Sequence, residues 1–145
     1  MAITRKADAR WQGGLQTGNG QMRLGSGLFE GAYSFNSRLG DGTRGTNPEE
    51  LLAAAHAGCY SMALSAALER DGHPVTDIST VASVQIDQDA PGLRISKIHL
   101  KTVGKVPGID AATFEQMAQD AKVNCLISKI LGNVEISLDA TLAAE

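Results

Sequence analysis

The pattern of apolar and polar positions changes abruptly in the first half of the chain. Up to Gly45 the sequence is rich in glycine and polar residues, and its apolar residues come in short runs, at Ala7 to Trp11, Met22 to Leu24 and Leu28 to Phe29. Such runs between turn-forming residues are typical of short strands. The closely spaced glycines from Ser37 to Gly45 predict a loop.

A long helix is predicted next. Asn47 can cap it, Pro48 suits the first position, and Glu50 can complete a capping box. No charged residue occurs from Leu51 to Leu68, and Gly72 ends the helix. Because most of these residues are small, the pattern favours a helix buried on nearly every side over a membrane span. One domain of this size cannot easily cover such a helix, so we expect a homodimer.

Beyond the helix, apolar positions recur every second residue, which predicts strands. One strand runs from Ile78 to Ile86, and a second from Leu93 to Thr102 changes phase near Ser96, as at a β-bulge. Asp110 is placed to cap another helix, a short helical run follows Cys125, and a last strand carries Val134, Ile136, Leu138 and Ala140 on one face. This order predicts a single α+β domain over residues 1–145, with an antiparallel sheet wrapped around the buried central helix.

Composition narrows the class of protein. The 145 residues are 43% hydrophobic and 20% charged, with a formal net charge of −3. Lysine and arginine are scattered, so neither nucleic-acid binding nor a polyanion-binding surface is expected. The start of the chain, Met1 to Lys6, lacks an apolar run of the secretory type, which favours a cytoplasmic protein.

Cys59 and Cys125 are the two cysteines, and their spacing matches no zinc motif. In a reducing compartment they are either inert and buried or transiently redox-active, and composition alone favours the inert reading. A reactive Cys59 in the middle of a helix needs a cation from elsewhere to favour its thiolate. The candidates are His56, one turn away, and an arginine of the preceding loop, Arg38 or Arg44. Cys125 is expected near a helix start, where negative charge is favoured.

The segment from Asn47 to Leu64, NPEELLAAAHAGCYSMAL, resembles the first signature of the OsmC/Ohr family. The segment from Cys125 to Leu131 is similar to the second cysteine motif, with Leu126 where the family usually has proline. Phe35 to Arg38 and Val106 to Asp110 resemble the OsmC branch in particular. The resemblance covers nearly the whole chain and implies an OsmC-like fold.

The resemblance implies a thiol peroxidase of the oxidative and osmotic stress response. It reduces organic hydroperoxides, and in many members hydrogen peroxide, without a metal or cofactor. By the same resemblance Cys59 is the peroxidatic nucleophile, Cys125 resolves its sulfenic acid as a disulfide, Arg38 activates Cys59, and Glu49 holds Arg38. An external dithiol then reduces the disulfide; in the Ohr branch it belongs to a lipoylated protein.

Helix geometry adds one expectation about Glu49 and Cys59. Ten residues of unbroken helix separate two side chains by about 15 Å along the axis and turn them about 80° out of alignment. The two residues can then share a site only if the helix breaks or the glutamate reaches in from a second subunit, and we expect an active site built across the dimer interface.

Two other function classes stay open. A cysteine hydrolase or acyltransferase using Cys59 and His56 would need His56 and leave Cys125 dispensable, whereas a binding domain would keep the fold without catalysis. A packed core role is favoured for His56, and a solvated loop charge for Arg44. Spacing places Met62, Leu64 and Leu68 in the core.

Overall fold

The computed structural model describes residues 1–41, 44–89 and 91–145. Within them the chain divides into two compact units, Met1–Leu51 and Leu52–Glu145. The α+β class predicted from the sequence is confirmed. Each unit carries one three-stranded sheet.

The first unit is built on an antiparallel sheet of short strands in the order β1-β2-β3. Its elements are β1 (Ala7–Gln12), β2 (Asn19–Leu24), β3 (Glu30–Tyr33) and the short helix α1 (Phe35–Leu39). The loop predicted from Ser37 is therefore wrong at its beginning, because Ser37 lies inside α1 and pairs with Ser34 in a capping box. Gly42 and Thr43, from the same predicted loop, lie outside the described residues.

The long helix α2 (Pro48–Arg70) begins and ends where its capping residues predicted. The Glu50 N–H donates to Asn47 Oδ1 at 2.7 Å, and the Glu50 carboxylate accepts from the Thr46 hydroxyl at 2.9 Å. Gly72 follows the helix with a φ of +81°, a left-handed conformation that glycine adopts without strain.

Only one face of α2 is buried within the chain. His56, Tyr60, Leu64 and Leu68 recur every fourth residue along it, and each is fully buried. Met62 lies two residues from both Tyr60 and Leu64, about 200° around the helix, and its side chain is 76% exposed. The core positions of Leu64 and Leu68 are thus confirmed, while that of Met62 is wrong for the single chain.

The second sheet has the strand order β4-β5-β6. Its elements, with the two helices between β5 and β6, are β4 (Asp77–Asp89), β5 (Gly92–Lys105), α3 (Ala111–Asn124), α4 (Leu126–Ile130) and β6 (Glu135–Leu142). Strands β4 and β5 are antiparallel, with Gln85 opposite Lys97 and Ile86 opposite Ile95. Ser96 is the extra residue between these pairs, which confirms the predicted β-bulge.

Strand β6 departs from the expected antiparallel sheet, because it pairs parallel with β5. A parallel neighbour requires a long crossover, and α3 and α4 provide it. This crossover contributes Phe114, Ala118, Ala121 and Cys125 to the same core as the buried face of α2. The fold of the second unit therefore brings the two cysteine-bearing segments into one core.

Candidate active site

Arg38 and Glu49 form a two-pronged ion pair in the first unit. Arg38 Nε donates to Glu49 Oε1 and Oε2 at 3.0 and 3.1 Å, and Nη2 donates to Oε1 at 2.6 Å. The Glu49 side chain is 9% exposed and that of Arg38 is 40% exposed. Hydrogen bonding to Glu49 raises the pKa of Arg38 above its ordinary value, although partial burial opposes this rise. The pair therefore presents a permanently charged guanidinium in a fixed orientation.

Local hydrogen bonds explain why these two residues meet. The Ser37 hydroxyl donates to the Thr46 carbonyl at 2.7 Å, and the Asn47 amide donates to the Ser37 carbonyl at 3.2 Å. Asn47 therefore caps α2 and also attaches α1 to its first turn. Arg38 is the residue after Ser37, and Glu49 lies two residues after Asn47. The hydrogen bond between Ser37 and Asn47 therefore brings the guanidinium to the carboxylate.

Cys59 lies on α2 and is partly exposed as a free thiol. Burial by itself raises the pKa of this thiol, but three hydrogen-bond donors outweigh that effect. These donors are the Ile127 N–H, the Cys125 thiol and the Leu126 N–H, so the pKa of Cys59 lies below its ordinary value. The beginning of α4 therefore favours the thiolate of Cys59, the form that acts as a nucleophile.

Cys125 experiences the opposite balance. It occupies the N-cap position of α4, as predicted, but it is 1% exposed and its sulfur makes no regular capping hydrogen bond. Burial raises the pKa of the Cys125 thiol and the neighbouring Cys59 raises it further. Together they outweigh donation from the Ser128 N–H, the Ser128 hydroxyl and the Ile127 N–H. The expectation that a helix start would favour the Cys125 thiolate is therefore wrong for the reduced protein, because desolvation dominates.

His56 is fully buried, as the favoured core role predicts, and its hydrogen-bond partner is a hydroxyl. Its Nε2 lies 2.8 Å from Ser128 Oγ, and its Nδ1 is buried with no hydrogen-bond partner in the described part of the chain. Burial lowers the pKa of His56, which favours the neutral ring. The ring nitrogens therefore make no pair with Cys59 of the kind that a cysteine hydrolase uses.

The structure brings the predicted residues together as two pairs, one in each unit. Arg38 with Glu49 lies in Met1–Leu51, and Cys59 with Cys125 lies in Leu52–Glu145. Within residues 1–41, 44–89 and 91–145, no three His, Cys, Asp or Glu side chains are grouped so that they could hold a metal ion.

Comparison with known proteins identifies the family. A model of the family described as OsmC-like protein matches residues 40–139. The chain belongs to the OsmC-like family. It is 46% identical over 143 residues to peroxiredoxin OsmC of Escherichia coli strain K12, a match that covers 98% of this chain and 99% of that protein.

Less similar proteins also match the chain in sequence and in fold. The chain is 34% identical over 101 residues to the organic hydroperoxide resistance protein of Xanthomonas axonopodis pv. citri, covering 68% of this chain and 69% of that one. The crystal structure of the organic hydroperoxide resistance protein OhrB of Bacillus subtilis superimposes with a TM-score of 0.74. That match is at 25% identity and covers 96% of this chain and 98% of the other.

The backbone N–H donors to Cys59 are the feature of this OsmC-like site that the sequence analysis missed. Every residue except proline carries a backbone N–H, so residue types do not reveal which N–H groups act as donors. The only indication in the sequence was the helix start expected near Cys125. Leu126, which stands where the family resemblance predicts proline, supplies one of the N–H groups that lower the pKa of Cys59. Since proline has no N–H, this substitution affects the environment of the nucleophile as well as the start of α4.

Proposed function

We propose that this chain is a two-cysteine, thiol-dependent peroxidase that reduces organic hydroperoxides, and hydrogen peroxide among its substrates. The observation that carries the proposal is the pair of free thiols in one core with oppositely shifted pKa values. A peroxidase of this type needs one thiol that is ready as a thiolate and a second thiol close enough to condense with the sulfenic acid of the first. The names of the related proteins support the same activity.

The reaction begins at Cys59. Its thiolate sulfur attacks the distal peroxide oxygen, an S–O bond forms, the O–O bond breaks, and the alkoxide leaves and takes a proton to become the alcohol. Cys59 is thereby oxidised to a sulfenic acid while the peroxide is reduced. No metal or prosthetic group takes part in these steps.

Cys125 completes the oxidation. Its sulfur attacks Cys59, the S–O bond breaks, and the departing oxygen leaves as water with the thiol proton of Cys125. An external dithiol then reduces the Cys59–Cys125 disulfide by exchange. A lipoylated protein is one candidate for this dithiol, since the organic hydroperoxide resistance proteins belong among the relatives.

Arg38 and Glu49 serve the first step in this proposal. The Arg38 guanidinium stabilises the Cys59 thiolate and polarises the peroxide, and Glu49 holds it by the bidentate contact. Because ten helical residues separate Glu49 from Cys59, we assign the pair to the cysteines of the partner subunit. The active site then lies at the interface of a homodimer.

The exposed face of α2 supports the homodimer. Its exposed positions include Ala54, Ala55, Gly58 and Met62, all apolar or small. Among the described residues, α2 is the one helix whose length and composition would suit a membrane span, and only 22% of its most apolar window is buried within the chain. Apolar surface on this scale is typical of an interface between subunits. We propose that a second copy covers it, in a cytoplasmic protein of one OsmC-like domain per chain.

Thiol counting tests the peroxidase directly. Reduced protein is treated with one equivalent of cumene hydroperoxide, quenched, and its free thiols are alkylated and counted by mass. The proposal predicts loss of both thiols as an intramolecular disulfide. Unchanged thiols would exclude peroxidase activity and would favour the alternative of a non-catalytic binding domain.

Mixing two inactive variants tests the shared site. Cys59→Ser retains Arg38, and Arg38→Ala retains Cys59, so a heterodimer of the two rebuilds one complete site only if the site lies between subunits. After mixing in equal amounts and exchange of subunits, we expect about a quarter of wild-type activity. No recovery in demonstrated heterodimers would place Arg38 and Cys59 of the same chain in one site.

A further inference from the structure

His56 and Ser128 form a buried polar pair to which the proposed reaction assigns no task. His56 is fully buried and Ser128 is 8% exposed, and the two side chains are 2.8 Å apart. A polar pair in a core costs desolvation free energy, which hydrogen bonding offsets only in part. The pair also lies next to the thiols, because Cys125 is the N-cap of α4 and Ser128 lies within that helix.

The orphaned nitrogen of His56 decides which tautomer is present. Nδ1 is buried and has no hydrogen-bond partner among the described residues. A proton on Nδ1 would therefore leave a buried N–H donor unsatisfied, which proteins rarely tolerate. A proton on Nε2 leaves only a lone pair unpaired, so we assign the proton to Nε2, which donates to Ser128 Oγ.

This assignment orients the Ser128 hydroxyl. Since its oxygen accepts from His56, its own proton remains available for a second acceptor. The Cys125 sulfur is the acceptor that the helix places nearest, because Cys125 is the N-cap of α4 and Ser128 is the third residue of that helix. Donation from the Ser128 hydroxyl, beside the larger donation from the Ser128 N–H, opposes the effect of burial on the Cys125 pKa. The result is a chain of donors running from His56 through Ser128 to Cys125.

No other hydroxyl on the facing helix competes for this task. Cys59 and Tyr60 of α2 are the titratable groups that interact with Cys125. The Tyr60 hydroxyl donates to the Ala118 carbonyl at 3.1 Å, and burial together with Cys125 raises its pKa well above the ordinary value. Tyr60 therefore stays protonated with its proton directed away from the thiols.

We propose that Ser128 is a catalytic residue of the resolving step and that His56 is a positioning residue that aims the Ser128 hydroxyl at Cys125. The inference rests on the proposed peroxidase function and deepens it. In that step the Cys125 lone pair forms the S–S bond, the S–O bond of the sulfenic acid breaks, and the thiol proton leaves with the oxygen as water. Ser128 donates to the Cys125 sulfur as negative charge develops there, and it keeps its own proton.

The first experiment separates the two oxidation steps in Ser128→Ala. Reduced full-length protein reacts with cumene hydroperoxide and is quenched over time, with sulfenic acid trapped by dimedone and disulfide measured by mass. We expect sulfenic acid formation within about twofold of wild type and disulfide formation about tenfold slower. Ser128→Thr keeps the hydroxyl and should restore most of the rate.

Ser61→Ala is the matched control, because Ser61 donates to Thr80 Oγ1 at the same 2.8 Å distance. It removes a comparable hydroxyl from α2 without a place in the donor chain, so both oxidation steps should keep their rates. A similar slowing of disulfide formation in Ser61→Ala would attribute the effect to general loss of packing and overturn the proposal.

The second experiment tests the positioning role of His56. His56→Leu removes the donor, whereas His56→Gln can place an amide N–H near the position of Nε2. Without the oriented hydroxyl the Cys125 thiolate is less stable, so the pH midpoint of disulfide formation should rise in His56→Leu and stay near wild type in His56→Gln. A purely structural histidine would change the unfolding midpoint and leave the pH midpoint unmoved, which would overturn this role.

If neither His56 variant folds, the comparison of Ser128→Ala with Ser128→Thr decides the proposal. Disulfide formation at the wild-type rate and pH midpoint in Ser128→Ala would overturn it, even while sulfenic acid forms normally. Absence of sulfenic acid in the wild-type protein would instead refute the peroxidase itself, and the inference with it.

Discussion

Cys59 and Cys125 carry the same thiol group and contact the same core, Cys125 from within it and Cys59 from its edge, but the two sites favour opposite protonation states. Burial raises the pKa of each. At Cys59 the backbone donors at the start of α4 and the neighbouring thiol overcome that effect. At Cys125 the donors are weaker than desolvation, so the thiol stays protonated.

The difference teaches that position on a helix does not by itself decide thiol reactivity. Cys59 sits in the middle of its own helix, where no unpaired N–H is available, and it uses the first N–H groups of another helix. Cys125 sits at a helix start and is still held as a thiol. Three donors lower the pKa of each thiol, so what decides is the balance between that donation and the desolvation that burial causes.

Replacing each cysteine in turn should give the largest difference between the two thiols. Cys59→Ser should lower peroxide consumption roughly a thousandfold, because the nucleophile is lost. Cys125→Ser should consume one equivalent at nearly the wild-type rate and then stop with Cys59 as sulfenic acid. Rapid-quench peroxide assays measure both, and equal losses in the two variants would contradict the assignment of roles.

Arg38 should affect the reaction of Cys59 with peroxide and leave the reaction of Cys125 unchanged. Arg38→Ala removes a charged donor, and we expect sulfenic acid formation to slow about a hundredfold while disulfide formation keeps its rate. Arg44→Ala is the matched control, since Arg44 is an exposed arginine of the same segment. A larger loss in His56→Gln than in Arg38→Ala would favour a cysteine hydrolase.

Titration of the two thiols tests their difference directly. Thiolate absorbance followed against pH in Cys125→Ser should give a Cys59 midpoint below the ordinary thiol value. The same titration in Cys59→Ser should give a Cys125 midpoint above it. Each unit of separation corresponds to about a tenfold difference in thiolate fraction at neutral pH. Coincident midpoints would remove the basis for assigning different roles.

Changing Leu126 should have the smallest effect, a modest change in the pKa of Cys59. Leu126→Pro deletes one N–H donor to Cys59, so the pKa of Cys59 should rise and the first step at neutral pH should slow about twofold to threefold. The fold should tolerate the change, because Leu126 is 70% exposed at the first position of α4 and Cys125 has a ψ of 131°, which suits a residue before proline. Leu126→Ala retains the N–H and should react as the wild type does.

Local signals in the sequence predicted much of the fold. Asn47, Pro48 and Gly72 located α2, and the phase change near Ser96 located the bulge, because caps and side-chain alternation act over a few residues. The direction of β6 depends on the crossover as a whole, and period-two alternation carries no direction. The burial of only one face of α2 could not be predicted either, because Met62 is as apolar as its buried neighbours.

The candidate site was predictable to a similar depth. The two cysteines stand out in the sequence itself, and the resemblance to the OsmC/Ohr family implied the Arg38–Glu49 pair. Neither indicated the N–H donors at Leu126 and Ile127 or the hydroxyl of Ser128. Their effect depends on distances across the core between segments that are remote in the chain. Their roles in catalysis, like the interface site and the single domain, stay predictions until the experiments above are done.

The parallel pairing of β6 with β5 also has a consequence for the order of folding. Cys125 is carried by the crossover between these strands, and parallel pairs join segments remote in sequence, which form slowly. Helix α2 depends on local contacts and can form early. A newly made chain therefore carries Cys59 on α2 before the N–H groups of Leu126 and Ile127, which lower the pKa of its thiol, are in place. Because the same crossover supplies Cys125 and the donors to Cys59, the reactive thiol and its resolving partner are completed together as the chain folds.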